Sequence, residues 1–380
     1  MLSTLKSRLK VSLVSLILIL SLTPVSPAHP HHSYSHEQRR VADNPNWMSV
    51  LPDSLHLSEL SIPGTHETMS LYGPFGFRNS VMTQRMFLNL QLESGIRALD
   101  VRCAIAGNHF VIYHGRYYQN ANFYDVLNTV IAFLQAHPRE TVLMRVKEER
   151  TSDPEKFLVN FRETYWNNGR AIIGGRNIRY QDYIPMQMSR NPTLREMRGK
   201  IVILQDFARW QCLTDTSTAS YGICYNSFVI QDEFQREVTQ YNKWLAVKDY
   251  LDRASRGFDQ DINNRDTKYI NYLSGFGKLD FTGLPNPYFV VSGHVNPRTG
   301  ASQMRTNIRD TSNQWPDFPR KRGYIYYEGT NTLVYDFIRN GTFTNRVGII
   351  MTDFPGGGLI ERIICINYPK TDPLCRRLPK

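Results

Sequence analysis

The stretch Leu60-Ser61-Ile62-Pro63-Gly64-Thr65-His66-Glu67 joins apolar residues, a Pro-Gly break and a histidine with an acid beside it. A short strand that stops at a turn and presents a titratable group is how an α/β scaffold sets a side chain at its functional rim. Working outward from 60–63, apolar runs recur at 96–102 (IRALDVR), 110–114 (FVIYH), 142–147 (VLMRVK), 201–206 (IVILQD), 228–232 (FVIQD), 288–292 (YFVVS) and 347–353 (VGIIMTD). Each is short and rich in Val, Ile, Leu, Phe or Met, as strands buried on both faces are. Between them, Asn122 to His137 places Phe123, Val126, Leu127, Val130, Ile131 and Leu134 on one helical face. Glu237 to Arg256 reads as a second helix, with Gly257 placed to end it. Strands alternating with helical crossovers predict an α/β fold, a distorted (β/α)8 TIM barrel in a single domain. The gap between the second and third runs is too short for a helix, so the barrel is imperfect. An open doubly wound sheet is the competing architecture.

The ends of the chain read differently from its middle. Lys6, Arg8 and Lys10, the apolar run Val11 to Leu22 and the small residues Ser26-Pro27-Ala28 form a signal peptide over 1–28. That apolar run is too short to span a bilayer comfortably. Residues 29–45, with histidines scattered among Pro and Ser, read as a disordered leader, and 46–380 as one folded domain. Removing 1–28 takes away Lys6, Arg8 and Lys10 and no acid, so the net charge falls from +11 to +8. A basic secreted chain favours anionic surfaces. Its Lys and Arg are scattered and carry no nucleic-acid motif, so a monomer without nucleic-acid partners is expected. Five cysteines suit an oxidising compartment; Cys212 and Cys224 are placed so that they could clip one loop and Cys365 and Cys375 the C-terminal tail, with Cys103 then left as a buried thiol, and the sequence leaves the pairing open. No pair has zinc-site spacing, and no cofactor or metal is expected.

Most of the runs finish in a polar residue: His66 and Glu67, Asp100 and Arg102, His114, Lys147, Asp206, Asp232, Asp353. In a barrel all C-terminal strand ends lie on one face, so these groups converge around one cleft. Two opposed histidines suit proton transfer at neutral pH, one as base and one as acid. Carboxylates such as Asp353 and Asp100 fix imidazole tautomers, and Arg102 meets a phosphate or carboxylate bidentately. That set suits phosphoryl transfer in which fixed cations stand where negative charge develops.

These motifs resemble the bacterial-type phosphatidylinositol-specific phospholipase C family. LSIPGTHE, GIRALDVR, IYHG, AHPRETVLMRVKEE, RGKIVILQD, FVIQDEF and RVGIIMTDF run in the family's order from about residue 45 to 355. The resemblance implies a distorted TIM barrel that cleaves phosphatidylinositol to diacylglycerol and a cyclic inositol phosphate. It implies His66 as general base paired with Asp353, His114 as general acid, Arg102 on the phosphate and Asp100 supporting both. It further implies that Lys147, Asp206, Asp232 and Phe234 bind the headgroup. Three departures stand out. Glu67 replaces the usual Asp and moves the carboxylate that assists His114. Phe234 stands where a stacking Tyr is common, and Asp206 where some members carry Arg. In the calcium-dependent branch a Glu occupies the position of Ala98 and another that of Lys147, so Arg102 and Lys147 are expected to do the metal's work here. Glu67, Asp100 and Glu148 are the residues from which a minority metal site would be built. The alternatives are a phosphodiesterase acting on another lipid headgroup or on a glycan-anchored lipid, and a lipid-binding relative without activity. Tyr72, Phe75, Phe77, Tyr117 and Tyr118, in the loops after the two histidines, are the residues expected to touch a membrane surface peripherally.

Overall fold

The computed structural model describes residues 32–75, 78–150, 153–212, 221–260, 265–277, 284–295, 303–311, 313–341 and 346–376. The expected signal peptide, His29, His31 and Phe77 lie outside them. Eight parallel strands form one curled sheet: β1 (Ile62–Thr65), β2 (Ala98–Ala106), β3 (Val142–Glu148), β4 (Ile201–Asp206), β5 (Ile223–Cys224), β6 (Val229–Gln231), β7 (Tyr269–Tyr272) and β8 (Ile349–Thr352). Their order is β6-β7-β8-β1-β2-β3-β4-β5, and among the described residues β5 and β6 do not pair. The result is a TIM barrel left open at one seam.

Two of the expected strands belong elsewhere. His109–His114 pairs antiparallel with β2 (Cys103↔Ile112) and, with Tyr117–Asn122, makes a hairpin outside the barrel. The run at 288–292 is a helix, Pro287–Ser292, with Pro at its first turn and the Asn286 side chain accepting from the Phe289 N–H. Every residue of that helix is buried. A fully buried apolar run has no period to separate helix from strand. The strand places are filled instead by Ile223–Cys224 and by β7, whose sequence Tyr-Ile-Asn-Tyr looks half polar but is buried throughout.

The helices cover the outer face. α1 (Phe123–Ala136) starts with a capping box between Asn122 and Asp125 and buries Phe123, Val126, Leu127, Val130, Ile131, Phe133 and Leu134. α2 (Gln240–Gln260) runs through Gly257, the residue expected to stop it. α2, α3 (Thr330–Asn340) and α4 (Gly357–Cys365) enclose a second core around Trp244, Val247, Leu251, Val334, Leu359 and Ile363 against β8. Cys212–Cys224 and Cys365–Cys375 are disulfides, and Cys103 is unpaired and buried.

The leader expected to be disordered is packed from His32 onward. Ser33, Tyr34 and Ser35 are buried, and Tyr34 bridges antiparallel to Pro355. Its backbone finds hydrogen-bond partners in the turn after β8, which composition alone does not reveal.

β1 runs between β2 and β8, and Gly64 leaves no room for a side chain. A Cβ there would lie 2.5 Å from Met351 Sδ, 2.8 Å from Ala98 Cβ and 2.9 Å from the Ala98 carbonyl. Gly64→Ala is therefore expected to cost about 1–3 kcal/mol of stability through overpacking. The check is the urea unfolding midpoint, and an unchanged midpoint would contradict this packing.

Candidate active site

Register brings the site together. β1 and β8 align Thr65 with Thr352, so His66 and Asp353, one residue further on, emerge side by side. The His66 N–H donates to the Thr352 carbonyl at 2.9 Å. Each is followed by a left-handed residue, Glu67 at φ 41° and Phe354 at φ 44°. Such backbone persists only where its surroundings over-determine it. Here Thr83 does so: its Oγ1 donates to the carbonyls of His66 and Glu67, and its own carbonyl accepts from the Phe354 N–H.

The His66 Nδ1–H donates to Asp353 Oδ1 at 2.9 Å, and Arg102 Nη2 donates to Nε2 at 3.0 Å. A guanidinium has only hydrogens to offer, so Nε2 carries the lone pair, as a general base requires. Burial pushes the His66 imidazole well below its ordinary pKa, and Arg102 pushes it further. The neutral imidazole is the stable form.

His114 reaches the same cleft from the outer hairpin. Its Nδ1 lies 2.9 Å from Ser70 Oγ and 3.1 Å from Glu67 Oε2. The Ser70 hydroxyl donates to the Val81 carbonyl, so its oxygen accepts from the His114 Nδ1–H. Burial, then Arg102, lowers His114 to about 4, and burial raises Glu67 to about 8. Both shifts come first from burial, which disfavours the charged form of each group.

Arg102 ties these parts together. Nη1 is 2.6 Å from Glu67 Oε1, while Nε and Nη2 reach Asp100 Oδ2 at 3.3 and 3.2 Å. The extra methylene of Glu67 does not prevent its carboxylate from bridging Arg102 and His114. The remaining Asp100 oxygen meets Arg145 Nη1 at 3.2 Å. Burial opposes the ionised Asp100, but Arg102 and Arg145 hold its carboxyl far below the usual range. Glu67 and Asp100, two of the carboxylates a cation site would draw on, are thus both committed to guanidinium groups.

The chain is 34% identical over 286 residues to the 1-phosphatidylinositol phosphodiesterase of Listeria monocytogenes, spanning 73% of this chain and 81% of that one. The chain belongs to the bacterial-type phosphatidylinositol-specific phospholipase C family. Residues 61–206 match the family model described as phosphatidylinositol-specific phospholipase C, X domain. A 1-phosphatidylinositol phosphodiesterase of Staphylococcus aureus strain Newman is 30% identical over 286 residues, 69% of this chain and 85% of that one. The solved phosphatidylinositol-specific phospholipase C from Listeria monocytogenes superposes with a TM-score of 0.60 at 26% identity, covering 86% of this chain and 100% of that one.

Not every residue expected in this phospholipase C site stands open to substrate. Asp206, expected to bind the headgroup, is buried: Oδ2 accepts from Arg145 Nε and Nη2, and Oδ1 from Arg209. Charge explains the difference, because Arg145 lies inside the barrel and needs a counter-ion there. Lys147 and Phe234 lie near the two site residues Arg102 and His66. Lys147 lies beside Arg102 in register, and the exposed Phe234 ring is 6.3 Å from the His66 ring. Asp232 is exposed just beyond β6.

Arg145, Tyr272, Ser70 and Thr83 escaped the sequence reading. Arg145 was the most legible, since it lies two residues before Lys147 and therefore on the same strand face. Its guanidinium stacks 4.2 Å over the Tyr225 ring and donates to Tyr272 Oη. Because Arg102 lowers the His66 pKa, Arg102→Met is expected to raise the pH at which the His66 ring titrates. Imidazole NMR titration measures this, and a downward shift would refute the assigned electrostatics.

Proposed function

We propose that this protein is an exported phosphatidylinositol-specific phospholipase C that works by acid–base catalysis without a metal. The observation that carries the reading is that both imidazoles reach one Glu67–Arg102 pair, His66 through Nε2 and His114 through Nδ1. The relatives named 1-phosphatidylinositol phosphodiesterase support the substrate.

A substrate phosphate draws the Arg102 fork onto its non-bridging oxygens, which frees the Nε2 lone pair. His66 then takes the proton of the inositol 2-hydroxyl, and that oxygen attacks phosphorus. The bond to the diacylglycerol oxygen breaks as His114 delivers a proton, with Glu67 and Ser70 holding its Nδ1. The products are diacylglycerol and a cyclic inositol phosphate. Asp353 keeps His66 in the right tautomer and stabilises the imidazolium. Lys147, Asp232 and the Phe234 ring hold the inositol.

Residues 46–380, with the segment from His32 packed onto them, act as one catalytic domain behind an export signal, and the two disulfides support the export. The chain works as a monomer at a membrane surface and has no nucleic-acid partner. Phe75 is 95% exposed and Tyr72 42% in the loop after His66, and Tyr118 is 47% exposed on the hairpin strand after His114, which suits contact with lipid headgroups.

The direct test is diacylglycerol release from phosphatidylinositol vesicles in EDTA, beside phosphatidylcholine and glycerophosphoinositol. Release from phosphatidylinositol alone is expected, and activity that EDTA abolishes would sink the metal-free mechanism. His66→Ala and His114→Ala should each lower kcat by about 10²–10⁴-fold while the fold survives. Asp353→Asn should cost less than His66→Ala.

The pH profile follows from the sign of each shift. The base must be neutral, and its pKa is depressed, so the acidic limb of kcat/KM lies below pH 6.5. On the acid side Glu67, beside His114 Nδ1, is the group that burial keeps protonated at neutral pH, so activity is expected to fall as pH rises through about 8. A profile flat from pH 5 to 9 would contradict both assignments.

A further inference from the structure

Three successive glycines, Gly356, Gly357 and Gly358, follow the Asp353 turn and open α4. None is required by its backbone conformation, since none has positive φ, and Gly356 itself sits at φ −90°. What they leave room for is another piece of chain. A Cβ on Gly356 would lie 2.5 Å from the Tyr34 nitrogen and 2.7 Å from the His32 carbonyl. On Gly357 it would lie 2.2 Å from the Val41 carbonyl, and on Gly358 2.8 Å from the His32 carbonyl. The glycines form a seat shaped to the segment 32–41.

That segment grips the turn that carries Asp353. The Ser35 N–H donates to the Phe354 carbonyl at 2.9 Å, and the Gly356 N–H donates to the Ser33 carbonyl at 3.0 Å. Ser33 Oγ and Thr332 Oγ1 share a hydrogen bond of 2.9 Å. The His36 ring lies 5.2 Å from the Phe354 ring, and Tyr34 packs with Met82, Tyr288, Val291 and Phe354 in a small apolar cluster. Met82 precedes Thr83, which clamps both left-handed turns of the site.

The Asp353 side chain has little else to hold it. Oδ1 accepts from His66, while Oδ2 is buried without a hydrogen-bond partner among the described residues. Its aim is therefore set by the backbone of the turn, and that backbone is bracketed by the strap.

We propose that the N-terminal strap, residues 32–41 docked on the Gly356–Gly358 seat, is a positioning element for catalysis that aims Asp353 at His66. This rests on the proposed acid–base reading of the site. The strap touches no substrate. It acts through Phe354 and Asp353 on the tautomer and orientation of the base, so its loss falls on kcat and leaves KM alone.

Gly356→Val is the selective test, because the three atoms nearest to a Cβ there all belong to the strap. In the full-length variant, fast hydrogen exchange at Ser35 and Gly356 is expected to report release of the strap. The downfield Nδ1–H resonance of His66 should broaden or vanish. kcat on phosphatidylinositol vesicles should fall by about 10²-fold, the loss typical of a misplaced catalytic group, with KM near the parent value. Tyr34→Ala, which adds no bulk, guards against a folding defect and should give the same pattern more weakly. A released strap with parental kcat and an intact His66 resonance overturns the proposal, as does undiminished protection of Ser35 in Gly356→Val. If the parent protein itself leaves phosphatidylinositol uncut, the functional reading fails, and the exchange and imidazole signals still judge the strap.

Discussion

Arg102 is the charge around which the site is built. It is almost buried, and a buried guanidinium is stable only when its hydrogens meet acceptors. Glu67, Asp100 and the lone pair of His66 supply them, at 2.6, 3.2 and 3.0 Å. Each acceptor is then oriented by that need. Glu67 turns toward His114, Asp100 turns its other oxygen to Arg145, and His66 shows Nε2 rather than Nδ1. One cation thereby organises both imidazoles and both carboxylates at once.

The same constraint explains why the cluster is tolerated so deep in the barrel. Asp100 lies between two guanidinium groups, and Arg145 between Asp100 and Asp206 with aromatic rings above it. Breaking one such pair leaves a buried charge uncompensated, at about 3–5 kcal/mol. The network is therefore costly to loosen in part, which keeps the catalytic geometry preformed. The strained turns at Glu67 and Phe354 belong to the same economy of position. They put side chains where an ordinary strand end would not, and Thr83 and the N-terminal strap hold them there.

Much of the barrel was legible because a parallel strand buried on both faces must be apolar almost throughout, as IVILQD and VLMRVK are. Burial in excess of that rule is where reading failed. The residues of 287–292 are apolar on every side and form a helix, whereas 269–272 carries Asn271 and two tyrosines and is a strand. Asn271 satisfies itself inside the protein, accepting from Gln231 and donating to the Val247 carbonyl. Such partners come from elsewhere in the chain and leave no local signature. The strap at 32–41 was missed for the same reason, since its backbone pairs with residues more than 300 positions away.

By itself the sequence determined which side chains stand at strand ends, and so the chemical kit of two imidazoles, a guanidinium and several carboxylates. Strand polarity and period are local properties, written in neighbouring residues. Only the tertiary structure decided how that kit is wired: that Asp206 neutralises Arg145 instead of facing the cleft, that Glu67 serves both histidines, and that the N-terminal segment braces Asp353. Those outcomes depend on which charges share a low-dielectric space, and that is fixed by strand register across the whole barrel.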